Sequence, residues 1–327
     1  MYKNVTIAEI AKRANVSTAT VSRALNGSPS VKETTRKLIL SIADSMKQES
    51  DPTQEFRNRI ILASFPDLSN PFYADIFKGI SDAAATRSYK VVFYSMDNHA
   101  GKDGYAFFAE NVFYSGLIIA HAVPDHRLLD PIRSRVPIVM CAEHNEGDIA
   151  PYVAIDDHAA AYNAVRYLIS SGRTKISMIN SSLRHNYAKH REAAFRKCLQ
   201  DHNLPIREEW ITHLSEINYN LGLTAASQIL SDHDRPDAFF CVSDVFAAAA
   251  INAGMGLGIS IPRDLAVVGF DNIDIATMTV PTITTVAQPT YQIGAQACQL
   301  LIDQLEYHTS MPGQIILNTE LILREST

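Results

Sequence analysis

Ser17-Thr18-Ala19-Thr20-Val21-Ser22-Arg23-Ala24-Leu25-Asn26 is the stretch on which the reading of this chain turns. Ser17 is a residue type that caps helix starts, and Asn26-Gly27-Ser28-Pro29 breaks a helix. Between them lies a short helix, Thr18 to Leu25, apolar on one side only, through Val21 and Ala24. Its other side offers hydroxyls, a methyl and a guanidinium on Thr18, Ala19, Ser22 and Arg23. Those groups suit base edges in a DNA major groove: Arg pairs with guanine, and Ala and Thr methyls meet the thymine methyl.

Upstream, Thr6-Ile7-Ala8-Glu9 has the spacing of a capping box, and Ile7, Ile10, Ala11 and Ala14 fall on one helical face. Asn15 ends that helix, and Val16 points back toward a core. Downstream, Lys32 to Met46 reads as a third helix, packing through Ile39, Ile42 and Ala43. Two short helices across a tight turn, with a third to bury their apolar faces, make a helix-turn-helix; periodicity alone equally allows a generic three-helix packing unit. Charge follows the same division. Residues 1–59 hold ten Lys and Arg against six acids, so a net −6 chain splits into a head of +4 and a body of −10. A basic head on an acidic body suits a head that meets a polyanion.

Beyond Arg59, short apolar strands alternate with amphipathic helices. The strands expected are Ile60–Phe65, Val91–Ser95, Gly116–Ala120, Ile138–Cys141, Ile176–Asn180, Ala238–Val242, Ala266–Phe270 and Thr284–Ala287. Helical patterns at Tyr73–Arg87, His158–Ser171, Tyr187–His202 and Leu221–Leu230 separate them. Such alternation gives parallel sheets with helices on both faces, and over two hundred residues of it favour two sheets. Ligands of these sheets bind beyond the carboxyl ends of the strands. Polar residues gather there: Asp67-Leu68-Ser69-Asn70, Asp156-Asp157, Ser243-Asp244, Asp271-Asn272 and Gln288, with Arg191 early in a helix. Asp157 and Asn272 read as helix caps; Asp271 and Arg191 read as ligand contacts.

Catalysis is not indicated. No Walker loop, Gly-x-Ser-x-Gly or Gly-x-Gly-x-x-Gly follows a strand. The eleven His lack metal-site spacing; His121 and His126, or His185 and His190, are five apart and suit surface or loop roles. The four Cys form no Cys-x-x-Cys and suit reduced core thiols. No cofactor and no metal are therefore expected. A hydrophobic share of 46% fits a folded chain with a sizeable core, yet no apolar run reaches the roughly 18 residues of a membrane helix. The N-terminus lacks an apolar signal core, so a cytoplasmic chain is expected.

The string Val5-Thr6-Ile7-Ala8-Glu9-Ile10-Ala11, then Ala14 through Asn26, resembles the signature of the lactose-repressor family of bacterial transcription regulators. The likeness continues in the body at Asn70-Pro71-Phe72, His190-Arg191 with Phe195, Ser243-Asp244-Val245-Phe246-Ala247, Val268-Gly269-Phe270-Asp271-Asn272 and Ile283 through Pro289. Cys241 through Val245, Gly269 through Asp274 and Glu320 through Thr327 are similar to the branch that responds to cytidine and governs nucleoside uptake and catabolism.

The resemblance implies an α/β fold: an all-α helix-turn-helix head on a periplasmic-binding-protein-like body of two doubly wound parallel-sheet subdomains. The head would span 1–46 and a linker 47–58. The effector-binding and dimerisation body would span 59–327, with one subdomain over about 59–157 and 288–316 and the other over about 158–287 and 317–327. It places base contacts at Thr18, Ala19 and Arg23, and phosphate or backbone contacts at Thr6, Ser17, Thr20, Ser22 and Asn26. It places effector contacts at Ser69, Phe72, Arg191, Asp244 and Asp271, with Asp156 and Gln288 beside them.

The partners implied are a pseudo-palindromic double-stranded operator, a nucleoside such as cytidine or else a sugar or sugar phosphate, and a second copy in a homodimer, with no membrane. Two features depart from the family. Residues 46–58 lack its Tyr-x-Pro-Asn hinge and minor-groove Leu, which puts hinge-helix insertion in doubt, and Ile217 stands where purine-binding members have an aromatic ring. The function expected is an effector-controlled repressor. The other class kept in view is a binding-protein-like sensor whose head docks a protein.

Overall fold

A computed structural model describes residues 6–28, 30–50, 59–96, 101–111, 113–144, 150–307 and 313–327. The chain forms two compact units, Met1–Ile60 with Phe113–Ser115, and Ile61–Val112 with Gly116–Thr327.

In the first unit, α1 (Ile7–Arg13), α2 (Thr18–Leu25) and α3 (Glu33–Ser50) follow one another. Both arms of the capping box form: the Thr6 hydroxyl accepts from the Glu9 amide at 3.3 Å, and the Glu9 carboxylate accepts from the Thr6 amide at 2.9 Å. Asn15 takes a left-handed φ of 52°, which Asn tolerates better than most residues, and this reverses the chain. Val16 then packs against a core of Ile10, Ala11, Ala14, Val21, Ala24, Ile39 and Ala43. Ile7, expected in that core, is exposed. The third helix runs to Ser50, four residues past its expected end at Met46, so residues 47–50 are helix and not linker. Residues 51–58 of the expected linker, and the breaker Pro29, lie outside the described residues.

The second unit holds the sheets. In chain order the strands are β1 (Ile60–Phe65), β2 (Lys90–Ser95), β3 (Gly116–Ile119), β4 (Ile138–Cys141), β5 (Tyr152–Ile155) and β6 (Ile176–Ser181). They continue as β7 (Ile211–Leu214), β8 (Ala238–Cys241), β9 (Ala266–Asp271), β10 (Thr284–Ala287), β11 (Gln314–Leu317) and β12 (Glu320–Ile322). The helices are α4 (Ala74–Thr86), α5 (Gly101–Glu110), α6 (Asp130–Arg133), α7 (Asp157–Ser170), α8 (Asn186–Asp201), α9 (Tyr219–Leu230), α10 (Asp244–Gly256), α11 (Ile275–Met278) and α12 (Thr290–Tyr307).

One sheet has the order β11-β5-β4-β3-β1-β2 and the other β12-β10-β9-β8-β6-β7. The chain therefore passes between sheets three times, after β5, after β10 and after β11. Central strands such as β1, β3, β4, β8 and β9 are buried along their whole length, which is why they read as unbroken apolar runs. β12 closes its sheet antiparallel to β10, opposite Thr285, Val286 and Ala287.

Backbone-to-backbone packing locks α4 against α12. A Cβ on Gly79 would stand 2.1 Å from the Tyr291 carbonyl oxygen, and one on Gly294 would stand 2.3 Å from that of Ile76. Only glycine permits that approach.

Candidate functional site

Helix α2 divides by burial. Val21 and Ala24 are fully inside, while Thr18, Ala19, Arg23 and Asn26 are exposed. Ser17 accepts from the Thr20 amide at 3.2 Å, and the two hydroxyls lie 2.8 Å apart. Ser17 and Thr20 thus hold the helix start, and Ser22 is half-buried on its flank. The residues expected to meet bases, Thr18, Ala19 and Arg23, share one free face; Thr6 sits at the exposed N-terminus of α1.

The body forms a cleft at the carboxyl ends of both sheets' strands. From the first sheet come Asn70, Phe72 and Tyr73 after β1, and Ala142 and Glu143 after β4. From the second come Tyr187 and Arg191 of α8, Ile217 after β7, Val242 and Ser243 after β8, Asp271 at the end of β9, and Gln288 after β10. Its free volume is about 40 Å³, little more than one water's share of liquid, and the cleft stays partly open to solvent.

Arg191 is the electrostatic centre. Its guanidinium donates to Asp157 from Nε at 2.8 Å, approaches it from Nη2 at 2.7 Å, and donates from Nη1 to the Val242 carbonyl at 2.8 Å. It lies over the Phe270 ring at 3.5 Å, with the Tyr187 ring at 4.8 Å. Asp271 stands 3.8 Å from Nη1 and accepts from Gln288 Nε2 at 2.8 Å. Burial pushes the Asp271 carboxyl up to about 7, against the pull of Arg191.

Asp271 reaches the cleft through strained backbone. It takes φ 105° and Asn272 φ 58°, both left-handed. Asp244 fixes this turn: its carboxylate accepts the Ile273 amide at 2.9 Å. A Cβ on Gly269 would meet Asp244 Oδ1 at 2.2 Å, so the Gly269 position leaves the room that Asp244 occupies. Burial, then Asp271, raise the Asp244 carboxyl well above its ordinary value.

Of the residues expected to hold an effector, the cleft gathers Phe72, Arg191, Asp271 and Gln288. Asp244 lies behind it as a support. Ser69 is exposed, its amide and hydroxyl both engaged by Asp67, and its neighbour Asn70 lines the cleft instead. The two residues of Asp156-Asp157 exchange their expected parts: Asp156 caps α7 through the Ala159 amide at 2.8 Å, while Asp157 is buried on Arg191.

Two residues escaped the sequence reading. His121, expected at the surface or in a loop, lies in a loop but is buried, 3.0 Å from the Ser64 hydroxyl, and burial lowers its imidazole to about 4. Glu143 is 5% exposed and lines the cleft. Burial, then Asp157, push its carboxyl up to about 8. Its position just beyond β4 was the available signal, masked by the polar run that follows it. Among the described residues no group of three His, Cys, Asp or Glu could hold a metal, and no helix is long and apolar enough to cross a membrane.

The head and the body match different families of known sequences. A model described as bacterial regulatory proteins, lacI family, matches residues 6–47, and one described as a periplasmic binding protein-like domain matches residues 165–327. The chain is 31% identical over 334 residues to catabolite control protein A of Priestia megaterium, covering 99% of each. It is 31% identical over 328 residues to the HTH-type transcriptional repressor CytR of Escherichia coli (strain K12), covering 98% of this chain and 96% of that one. Among solved structures, a complex of the transcriptional regulator CelR with cellobiose is similar over 99% of this chain and 100% of that chain, with 25% identity and a TM-score of 0.75.

Proposed function

This chain belongs to the lacI family of bacterial regulatory proteins, as a DNA-binding transcription regulator, and we propose that it is an operator-binding repressor controlled by a small molecule held in the cleft. The exposed face of α2 carries the reading: Thr18, Ala19 and Arg23 stand free above a core that needs only Val21 and Ala24. Such a face offers bidentate contact to guanine and methyl contact to thymine. Ser17, Thr20, Ser22, Asn26 and Thr6 are assigned to the phosphates on either side, where short hydroxyls and helix N-termini bind. A two-fold pair of heads reading two half-sites calls for a homodimer on a pseudo-palindromic operator. The relatives are transcription regulators, so a head that docks a protein is set aside.

Phe72, Arg191, Asp271 and Gln288 are assigned to the effector. Their chemistry is one apolar ring, one guanidinium and acceptors for hydroxyl groups, which suits a sugar or nucleoside. Because the cleft as it stands has so little free volume, a sugar or nucleoside fits only when its two walls part. A ligand that binds one state of the body better than the other then shifts the DNA equilibrium by that same difference.

The test uses the full chain, a duplex enriched by it from a random pool, and cellobiose, ribose, cytidine and adenosine as probes. A probe that raises the melting temperature is expected to change duplex affinity about 5- to 150-fold. The variant Phe72→Ala with Gln288→Ala is expected to lose both effects while keeping duplex affinity. An undiminished probe effect in that variant would remove the cleft from the mechanism.

A further inference from the structure

The cleft and its supports gather more carboxyl groups than Arg191 alone pairs. Arg191 spends its Nε and Nη2 on Asp157 and aims Nη1 at a carbonyl. Asp271, 3.8 Å from Nη1, has Gln288 and Ser243 as hydrogen-bond partners, both neutral. Glu143 faces this group from the opposite sheet. Its Oε1 accepts a long bond, 3.5 Å, from the Tyr187 amide, and the neighbouring Asn186 amide also donates to the carboxyl group. Its Oε2 is fully buried and has no hydrogen-bond partner, although the residue lines the cleft. A buried carboxylate oxygen left without a donor costs free energy that a second partner would recover.

We propose that the molecule recognised by this cleft bears a protonated amine on a sugar or nucleoside frame, seated on Glu143 with Asp271 as the second acceptor. This rests on the cleft being the effector site. An ammonium supplies the donor that Oε2 lacks and adds positive charge to that of Arg191. Its hydroxylated frame meets Arg191 and Gln288, and its ring faces Phe72. A phosphorylated ligand is disfavoured, since it would bring charge of the wrong sign against Glu143, Asp157 and Asp271. The raised carboxyls of Glu143 and Asp271 agree, because a cation would draw them back down and expel their protons into solution.

Calorimetry on the full chain with matched probes tests this: glucosamine against glucose, galactosamine against galactose, 5′-amino-5′-deoxycytidine against cytidine, and glucose 6-phosphate as the anion. In at least one pair the amine is expected to bind tenfold or more tightly than its neutral partner, with proton release, and the phosphate not at all. Glu143→Gln is expected to erase that preference, bringing the affinities of amine and neutral partner together. A neutral or phosphorylated probe binding as well as its amine, or an amine preference that survives in Glu143→Gln, overturns the proposal. If no probe of any charge binds, the cleft reading falls and this inference falls with it. A melting temperature for Glu143→Gln at or above that of the parent at pH 8 shows that its results come from a folded protein.

Discussion

At the scale of single residues, the titratable groups in and near the cleft set how stability changes with pH. Glu143 and Asp271 titrate at about 8 and 7 when folded, against ordinary values of 4.5 and 3.8. Between those limits the folded chain keeps protons that the unfolded chain has released, so stability falls as pH rises from about 4 to 8. His121 acts in the opposite sense. Folded, it titrates at about 4 instead of 6.5, so stability is lost as pH drops through that interval. Calorimetric melting from pH 4 to 9 is expected to show both trends. Glu143→Gln should flatten the alkaline fall, and His121→Gln should flatten the acid one; parallel curves for parent and variants would show that neither group carries the effect. In the head, Arg23→Ala is expected to remove discrimination worth about 1–3 kcal/mol at one base pair. Anisotropy with an enriched duplex and a scrambled one checks it.

Residue placement was legible where one chemistry served one position. Asp271 at a strand end and Arg191 early in a helix were both read toward the cleft that they line. Asp156 and Asp157 could not be ordered that way, because either carboxylate can cap a helix and only the reach of Arg191 chooses between them. Asp244 misled for a similar reason. A buried Asp beside a ligand site and one that braces the site from behind share a sequence signature.

At the scale of elements, caps and close packing carry separable costs. Thr6→Ala removes the hydroxyl arm of the capping box, leaving only the bond from the residue 6 amide to Glu9, and is expected to destabilise the head by about 1 kcal/mol. Gly294→Ala or Gly79→Ala inserts a methyl into the α4–α12 contact, where it meets a carbonyl oxygen well inside van der Waals distance. A loss of about 1–3 kcal/mol or more is expected by urea denaturation. An unchanged midpoint would mean the two helices separate at no cost.

Strand recognition failed in an instructive pattern. β7, β11 and β12 were not foreseen as strands; they are short, half-exposed edges of the sheets and mix polar with apolar residues. β5 was not among the expected strands either; only the polar pair Asp156-Asp157 beyond its end was noted. The buried central strands gave the clear signals, because burial on both faces excludes polar residues from them. The excess length of α3 had no warning: Lys47, Gln48, Glu49 and Ser50 suit a solvated linker as well as an exposed helix end.

At the scale of the whole molecule, the head with α2 and the body with the cleft are two compact units on one chain. Regulation requires only that the ligand prefer one state of the body and that the two states differ in DNA affinity. The coupling is reciprocal, so duplex should alter ligand affinity by the same factor that ligand alters duplex affinity. Calorimetric ligand titrations with and without duplex check this, and unequal factors would mean that a third equilibrium, such as assembly, intervenes. The two-unit layout was legible from the charge split and the change from helix pairs to alternating strands and helices. The make-up of the cleft was not, because it joins Glu143 to Arg191, which sequence order keeps far apart.

The central claim is that the exposed face of α2 reads duplex DNA. The direct measurement is binding of the full chain to its enriched duplex over a range of salt, for the parent and Arg23→Ala. Log affinity is expected to fall linearly with log salt, by about 0.9 per phosphate neutralised, with sequence preference present in the parent and lost in the variant. Failure of the parent to retain any duplex at low ionic strength, or a sequence preference unchanged by Arg23→Ala, would contradict it.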